Sequence, residues 1–346
     1  MTLTDRIGRH ARQAPEPKAE IHCHLEGTAR PALALDRAKA YGVDIADLVD
    51  GERYIWQGFS GFLKAYDRIA ALFRSEDDYR RLTFDHLKSL AHEGAIYAEL
   101  FVSPDHAREA GLSVDAYLAG IERGVRQAES ETGIVCRLIV VGIRHLGPDT
   151  VEAAARLAVD PRHPLVTGFG LAGDERLHRP SEFARAFDIA RDAGLGLTAH
   201  AGEFAGPAGI AETLDALKVT RLGHGVRAIE DPALVRRITE TGVTLEVCPG
   251  SNLALGLYPS IEAHPLRALH EAGIRLTLNS DDPPFFATTL TREYELAAQA
   301  GFTAAERLAL TRNAIDAAFV DGEIRKRLLE RLTLAAISLG APGMSR

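Results

Sequence analysis

Apolar positions in this chain fall into short blocks separated by longer amphipathic stretches. Eight blocks read as strands, over residues 19–24, 95–102, 135–141, 165–171, 195–200, 220–223, 243–248 and 275–279. The run Cys136-Arg137-Leu138-Ile139-Val140-Val141 is typical. It is short and rich in β-branched side chains, which favours strand over helix. Most of the intervals hold one stretch of helical length. Residues 181–193 open after Pro180 and stop at Gly194; residues 232–241 open behind Asp231 and stop at Gly242. Those are ordinary helix start and stop signals. Eight strands alternating with helices predict an α/β fold, a closed parallel (β/α)8 TIM barrel. An open doubly wound sheet is the alternative, since it differs by only a strand or two.

Two segments exceed the barrel pattern. Residues 28–94 follow the first strand and read as helices over 31–41, 60–73 and 75–92. A helical insertion at the C-terminal end of a barrel strand lies over the mouth, so this segment is expected to cap it. Residues 288–339 read as extra C-terminal helices, with Thr303 as a candidate cap residue. The whole chain, 1–346, is read as one domain with the cap inside it.

Composition narrows the function classes. The chain has 346 residues, 46% of them hydrophobic, which is enough for a large core and excludes global disorder. The net charge of −8 leaves no basic footprint for nucleic acid. No apolar run reaches the roughly 18 residues that span a bilayer, so no membrane partner is expected. The polar N-terminus, Met1 to Lys18, carries no signal segment, and a cytoplasmic protein is expected. Cys23, Cys136 and Cys248 are too few and too scattered for a disulfide framework.

Candidate chemistry sits where strands end, which is where barrels place it. The first strand ends in His22-Cys23-His24, and alternation turns both histidines to one side and Cys23 to the other. The fifth strand ends in His200, His224 follows the sixth, and Asp281-Asp282 follows the eighth. A lone histidine on a strand is usually a satisfied rim residue; several at the ends of different strands of one barrel make a site. Imidazole with carboxylate suits zinc or another first-row divalent ion. The fourth strand has no lysine to bridge a second metal, so one ion is expected. Glu203, three residues beyond His200, is placed to act as an acid over that ion, although a helix-start Glu would look the same. The helical histidines His86, His92 and His270 read as surface residues. Gly168 to Gly173 matches G-x-G-x-x-G, but no helix opens directly behind it, as a dinucleotide site requires. Zinc-protease H-E-x-x-H, cytidine-deaminase H-x-E with P-C-x-x-C, and G-x-S-x-G patterns are absent.

Six segments in order carry a resemblance. They are Lys18-Ala19-Glu20-Ile21-His22-Cys23-His24-Leu25-Glu26-Gly27, Leu171-Ala172-Gly173-Asp174-Glu175, His200-Ala201-Gly202-Glu203, Arg221-Leu222-Gly223-His224-Gly225, Glu246-Val247-Cys248-Pro249 with Ser251-Asn252, and Leu278-Asn279-Ser280-Asp281-Asp282-Pro283. Together they resemble the adenosine deaminase family of the amidohydrolase barrel superfamily. The resemblance implies one zinc ion on His22, His24, His200 and Asp281. It implies that Glu203 protonates purine N1, and that His224, with Asp281, orients and helps deprotonate the attacking water. It gives Asp282 a contact to N7, Gly173 a backbone contact to N3, and His24 and Glu26 places on the substrate. The activity it implies is hydrolytic deamination of adenosine and 2′-deoxyadenosine, with a small purine as the only partner. One departure stands against this. Adenosine-specific members typically carry Asp where Glu26 stands, to meet the ribose 5′-hydroxyl, whereas Glu is commoner in adenine-deaminating relatives. Leu171 to Glu175 and the cap aromatics Trp56, Phe59 and Phe62 look like the nucleoside branch, so adenosine is the leading expectation. Adenine, or a modified or N6-substituted adenine nucleoside, is the alternative. A catalytically silent purine-binding protein is the reading from another class.

Overall fold

The eight apolar blocks form one parallel sheet whose strands stand in chain order. They are β1 (Lys18–Glu20), β2 (Ala95–Val102), β3 (Val135–Ile143), β4 (Val166–Ala172), β5 (Gly196–Ala201), β6 (Arg221–His224), β7 (Thr244–Val247) and β8 (Arg275–Leu278). The computed structural model describes residues 15–338. The expectation that the N-terminus carries no signal segment falls largely on residues 1–14, and the last residue of the helical reading over 288–339 is Leu339; both lie outside the described residues.

Each strand pairs in parallel with the next, from β1 to β8. The two edges then meet. Cys23 bridges to Asp281, and the His24 N–H donates to the Asp281 carbonyl at 3.0 Å. The sheet therefore curls into a (β/α)8 TIM barrel, and the open doubly wound alternative falls because the first and last strands touch. The first strand was expected to run to His24, but its regular ladder covers only three residues. At the seam a side chain replaces the backbone: Ile21 N–H donates to Asn279 Oδ1 at 3.0 Å.

The insertion after β1 holds α1 (Pro31–Tyr41), α2 (Gly58–Ala70) and α3 (Glu76–His92). Helix α2 buries Phe62, Tyr66 and Ile69 at spacings of three and four, so one face points inward. Helix α3 starts at a capping box, in which Ser75 Oγ accepts from Asp78 N–H and the Asp78 carboxylate accepts from Ser75 N–H, both at 3.1 Å. The same carboxylate takes Arg37 and Tyr41, which ties α1 to α3. A hairpin of two-residue strands, Val49–Asp50 and Arg53–Tyr54, was not expected; it is too short to show alternation.

Behind β8 come helices Leu290–Gln299, Ala304–Ala317 and Gly322–Ser338, and Thr303 caps the second with Glu306. The turn between the second and third carries Phe319 to the floor of the barrel. Gly168 and Gly196 make room for it: an added Cβ would lie 2.7 Å and 2.1 Å from its ring. The glycine motif on β4 is thus partly a packing slot, and the next helical turn begins only at Pro180. No described helix is long and apolar enough to cross a membrane.

Candidate metal centre and substrate cavity

His22 and His24 leave the end of β1 on the inner side, and Cys23 points outward, where its Sγ lies 3.5 Å from His86 Nε2 of α3. His86 is therefore half-buried against the barrel rather than a surface residue. His270 is also half-buried, against Phe302, whereas His92 is exposed.

Side chains from β1, β5 and the segment after β8 converge on one point. His24 Nε2 lies 3.2 Å from His200 Nε2 and 3.4 Å from Asp281 Oδ1; His22 Nε2 lies 3.5 Å from the same oxygen. Bonds of about 2.0–2.1 Å at tetrahedral angles put neighbouring donor atoms roughly 3.3–3.4 Å apart. These three distances are close to that spacing. Buried His22 Nε2 makes no hydrogen bond within the protein, which leaves its lone pair for a ligand. The other ring nitrogens of His22 and His200 are occupied. His22 Nδ1 meets Glu246 Oε2 at 2.7 Å, and His200 Nδ1 meets the Leu171 carbonyl at 3.0 Å. Such partners fix the tautomer and present Nε2 to a metal. Burial alone would raise the Glu246 carboxyl, but Arg221 and His22 more than offset it and hold it ionised. Arg221 itself bridges Glu246 and Glu99, each at 2.6 Å, beneath the site and over the Phe319 ring.

His224 also reaches this cluster: donor atoms of His22, His200, His224 and Asp281 lie within 4.8 Å of one another, as do those of His24, Asp281 and Asp282. His224 and Asp281 both hold left-handed backbone, with φ of 58° and 63°. Non-glycine residues adopt that conformation at a cost of about 1–3 kcal/mol, and they do so mostly at functional sites. Asn252 stands behind His224 Nδ1 at 3.5 Å and is oriented in turn by His264 at 3.0 Å. Nothing in the sequence pattern pointed to His264.

The cluster lies at a cavity that is partly open to solvent. Glu203, His224, Asp281, Asp282 and Gly173 line it together, beneath Phe59, Phe62 and Tyr66 of α2. Glu203 Oε2 lies 3.7 Å from His224 Nε2, while Glu203 Oε1 and Asp282 Oδ1 are buried with no partner. Buried polar atoms without partners are rare, and both residues line the cavity. Burial, reinforced by the charges of Asp281, Glu175 and Asp282, pushes the Glu203 carboxyl well above the usual carboxylate range. Burial and Asp281 do the same to Asp282. The backbone of Gly27 packs directly on Asp282; an added Cβ would sit 1.7 Å from Oδ1.

Glu26 is not brought to this cavity. It is buried, with Oε1 accepting from Tyr117 O–H at 2.6 Å and Oε2 reached by Tyr66 O–H at 3.5 Å. Two residues the sequence reading did not single out, Ser103 and His106, do line the cavity. Ser103 Oγ and His106 Nδ1 are buried without partners, and His106 Nε2 lies 3.3 Å from Asp67 Oδ1. A signal existed: Ser103 directly follows β2, a rim position to which no role had been given.

Comparison with known proteins places this arrangement. Residues 17–335 match the family model described as adenosine deaminase. A protein of Rhizobium leguminosarum bv. trifolii named adenine deaminase is 56% identical over 316 residues, covering 91% of this chain and 98% of that protein. The crystal structure of adenine deaminase from Arthrobacter aurescens superposes with a TM-score of 0.87 at 29% identity, covering 92% of this chain and 98% of the other. An amidohydrolase from Burkholderia ambifaria with bound zinc superposes with a TM-score of 0.83 at 30% identity, covering 95% and 93%.

Proposed function

The chain belongs to the adenosine deaminase family, a family of hydrolytic deaminases, and we propose that within it the protein is a zinc-dependent adenine deaminase. It adds water to the free base and releases hypoxanthine and ammonia. The observation that carries the choice of base over nucleoside is the orientation of Glu26. With its carboxylate held by Tyr117 and off the cavity, it offers nothing to a ribose 5′-hydroxyl. The names of relatives more than half identical favour the same choice over adenosine. A nucleotide is disfavoured, because a phosphate calls for cationic partners and the described residues lining the cavity include no lysine or arginine.

His22, His24, His200 and Asp281 would hold the ion, which activates water as a nucleophile near neutral pH. The remaining work falls to the chain. Glu203, kept protonated by burial, gives its proton to N1 and makes C6 electrophilic. His224, 3.7 Å from Glu203, holds a proton of the attacking water at Nε2 and passes it towards the leaving amine. Asp282 must donate to N7, an acceptor, and its raised carboxyl lets it do so as the neutral acid. Gly173 offers its backbone N–H to N3. The C6–O bond forms, the C6–N6 bond breaks, nitrogen leaves as ammonia, and the C6 hydroxyl proton returns to Glu203, which restores its neutral form as the carbonyl forms. The cap, residues 28–94, belongs to the same unit and closes over the ring so that bulk water is excluded. Incubating the zinc-loaded protein with adenine tests this: stoichiometric hypoxanthine and ammonia are expected, and no turnover would overturn it.

A further inference from the structure

The mechanism gives no task to Glu175, yet few side chains are more fully engaged. It follows β4 by three residues and is nine-tenths buried. Its carboxylate accepts four consecutive backbone N–H groups, those of Gly202 at 3.3 Å, Glu203 at 3.2 Å, Phe204 at 3.1 Å and Ala205 at 2.8 Å. On the carbonyl side Arg227 holds the same turn, its Nη1 donating to the Phe204 carbonyl and its backbone N–H to that of Gly202 at 3.0 Å, but the four N–H groups rest on Glu175. The strand just before it is fixed as well, because Arg144 Nη2 donates to the His200 carbonyl at 3.1 Å. On its outer side the turn meets the cap, where the Phe204 and Phe59 rings lie 4.3 Å apart.

We infer that Glu175 is a positioning residue, which locks the Glu203 turn to the end of β4 and so fixes the proton donor for N1 relative to the Gly173 N–H that meets N3. The two contacts address one six-membered ring from two different loops. Without a tie between the loops, each could move while the substrate stayed bound. A carboxylate satisfying a row of N–H groups is a strong tie, since charge-assisted hydrogen bonds are about twice as strong as neutral ones. Its partner atoms belong to the backbone, so the tie sets where Glu203 begins and leaves its side chain free to reach the ring. The inference rests on the proposed role of Glu203 but not on which purine is preferred.

A double-mutant cycle tests it. Glu175→Gln keeps the volume but replaces one acceptor oxygen with an N–H donor facing the turn. It should lower kcat for adenine about 10- to 100-fold, the scale of a misplaced catalytic group. KM and zinc stoichiometry should stay close to the parent values, a split that general loosening of the fold would not give. In a Glu203→Gln background the same change should cost less than about 2-fold, because Glu175 acts through Glu203. An equal loss in both backgrounds, loss of zinc, or an unchanged kcat would overturn the inference. If the Gln variant does not fold, Glu175→Asp carries the same cycle, with a smaller expected loss because the charge remains. The parent enzyme is run on adenine and adenosine side by side. A wrong substrate then shows in the parent, and a wrong role for Glu175 shows only in the cycle.

Discussion

The two ends of the cavity are built differently. At the metal end, His22, His24, His200, His224 and Asp281 come from strand ends or the residues just past them, and hydrogen-bond partners behind the rings hold several in place. At the far end, Tyr66, Ser103 and His106 come from a cap helix, a strand end and a short helix, and two of them keep unpartnered polar atoms. Barrel register and those partners position the first set. The second depends on which way one carboxylate, Glu26, is pulled. On the proposed function, chemistry rests on the scaffold, while choice of substrate rests on a few contacts between separate elements.

The comparison can be broken most severely at the metal end. His200→Ala, or chelation of the parent protein, should abolish turnover, with zinc falling well below one ion per chain by elemental analysis; full occupancy in the variant would remove His200 from the ligand set. Glu203→Gln comes next. It should bind zinc normally yet lose about 10²- to 10⁴-fold in kcat, the usual worth of a general acid. At the far end the effect should be smaller and of another kind. Tyr117→Phe removes the 2.6 Å bond that holds Glu26. It should raise KM for adenine several-fold with little change in kcat, and cost about 1.5–3 kcal/mol in stability by denaturant titration. A fall in kcat with KM unchanged would mean that the two ends are not separable.

The last effect lies outside both ends and bears on stability, not turnover. Buried Glu293 accepts from the Gly250 N–H at 2.8 Å, and burial raises its carboxyl to about 7. The folded chain then keeps a proton that the unfolded chain has released, so stability falls as pH rises from about 4.5 to 7 and levels off above. Glu293→Gln should flatten that slope, at most about 1.4 kcal/mol per pH unit. An unchanged slope would show that this carboxyl ionises normally.

The same contrast explains what the sequence disclosed. Every barrel strand and the three large cap helices were legible, because period-2 and period-3.6 patterns and their stop signals are local. The inward pair His22 and His24 was legible too, since alternation along a strand sets direction. The direction of Glu26 was not. Whether a carboxylate at a strand end faces the cavity or turns back depends on Tyr117, 91 residues away, and no local pattern reports it. Likewise His86 and His270 read as surface residues because helical spacing alone does not show what Cys23 or Phe302 will bring against them. The role of Phe319 was hidden for the same reason, since its slot is made by glycines on two distant strands.

The most direct test of the account is the ratio of kcat/KM for adenine to that for adenosine, measured with the zinc-loaded parent enzyme by the purine absorbance change. With Glu26 turned away and the far wall closed by Tyr66, Ser103 and His106, the ratio should exceed about 10², the scale of discrimination a shaped site with placed polar groups provides. A ratio near or below one would contradict it, and would mean that the far end opens to a ribose.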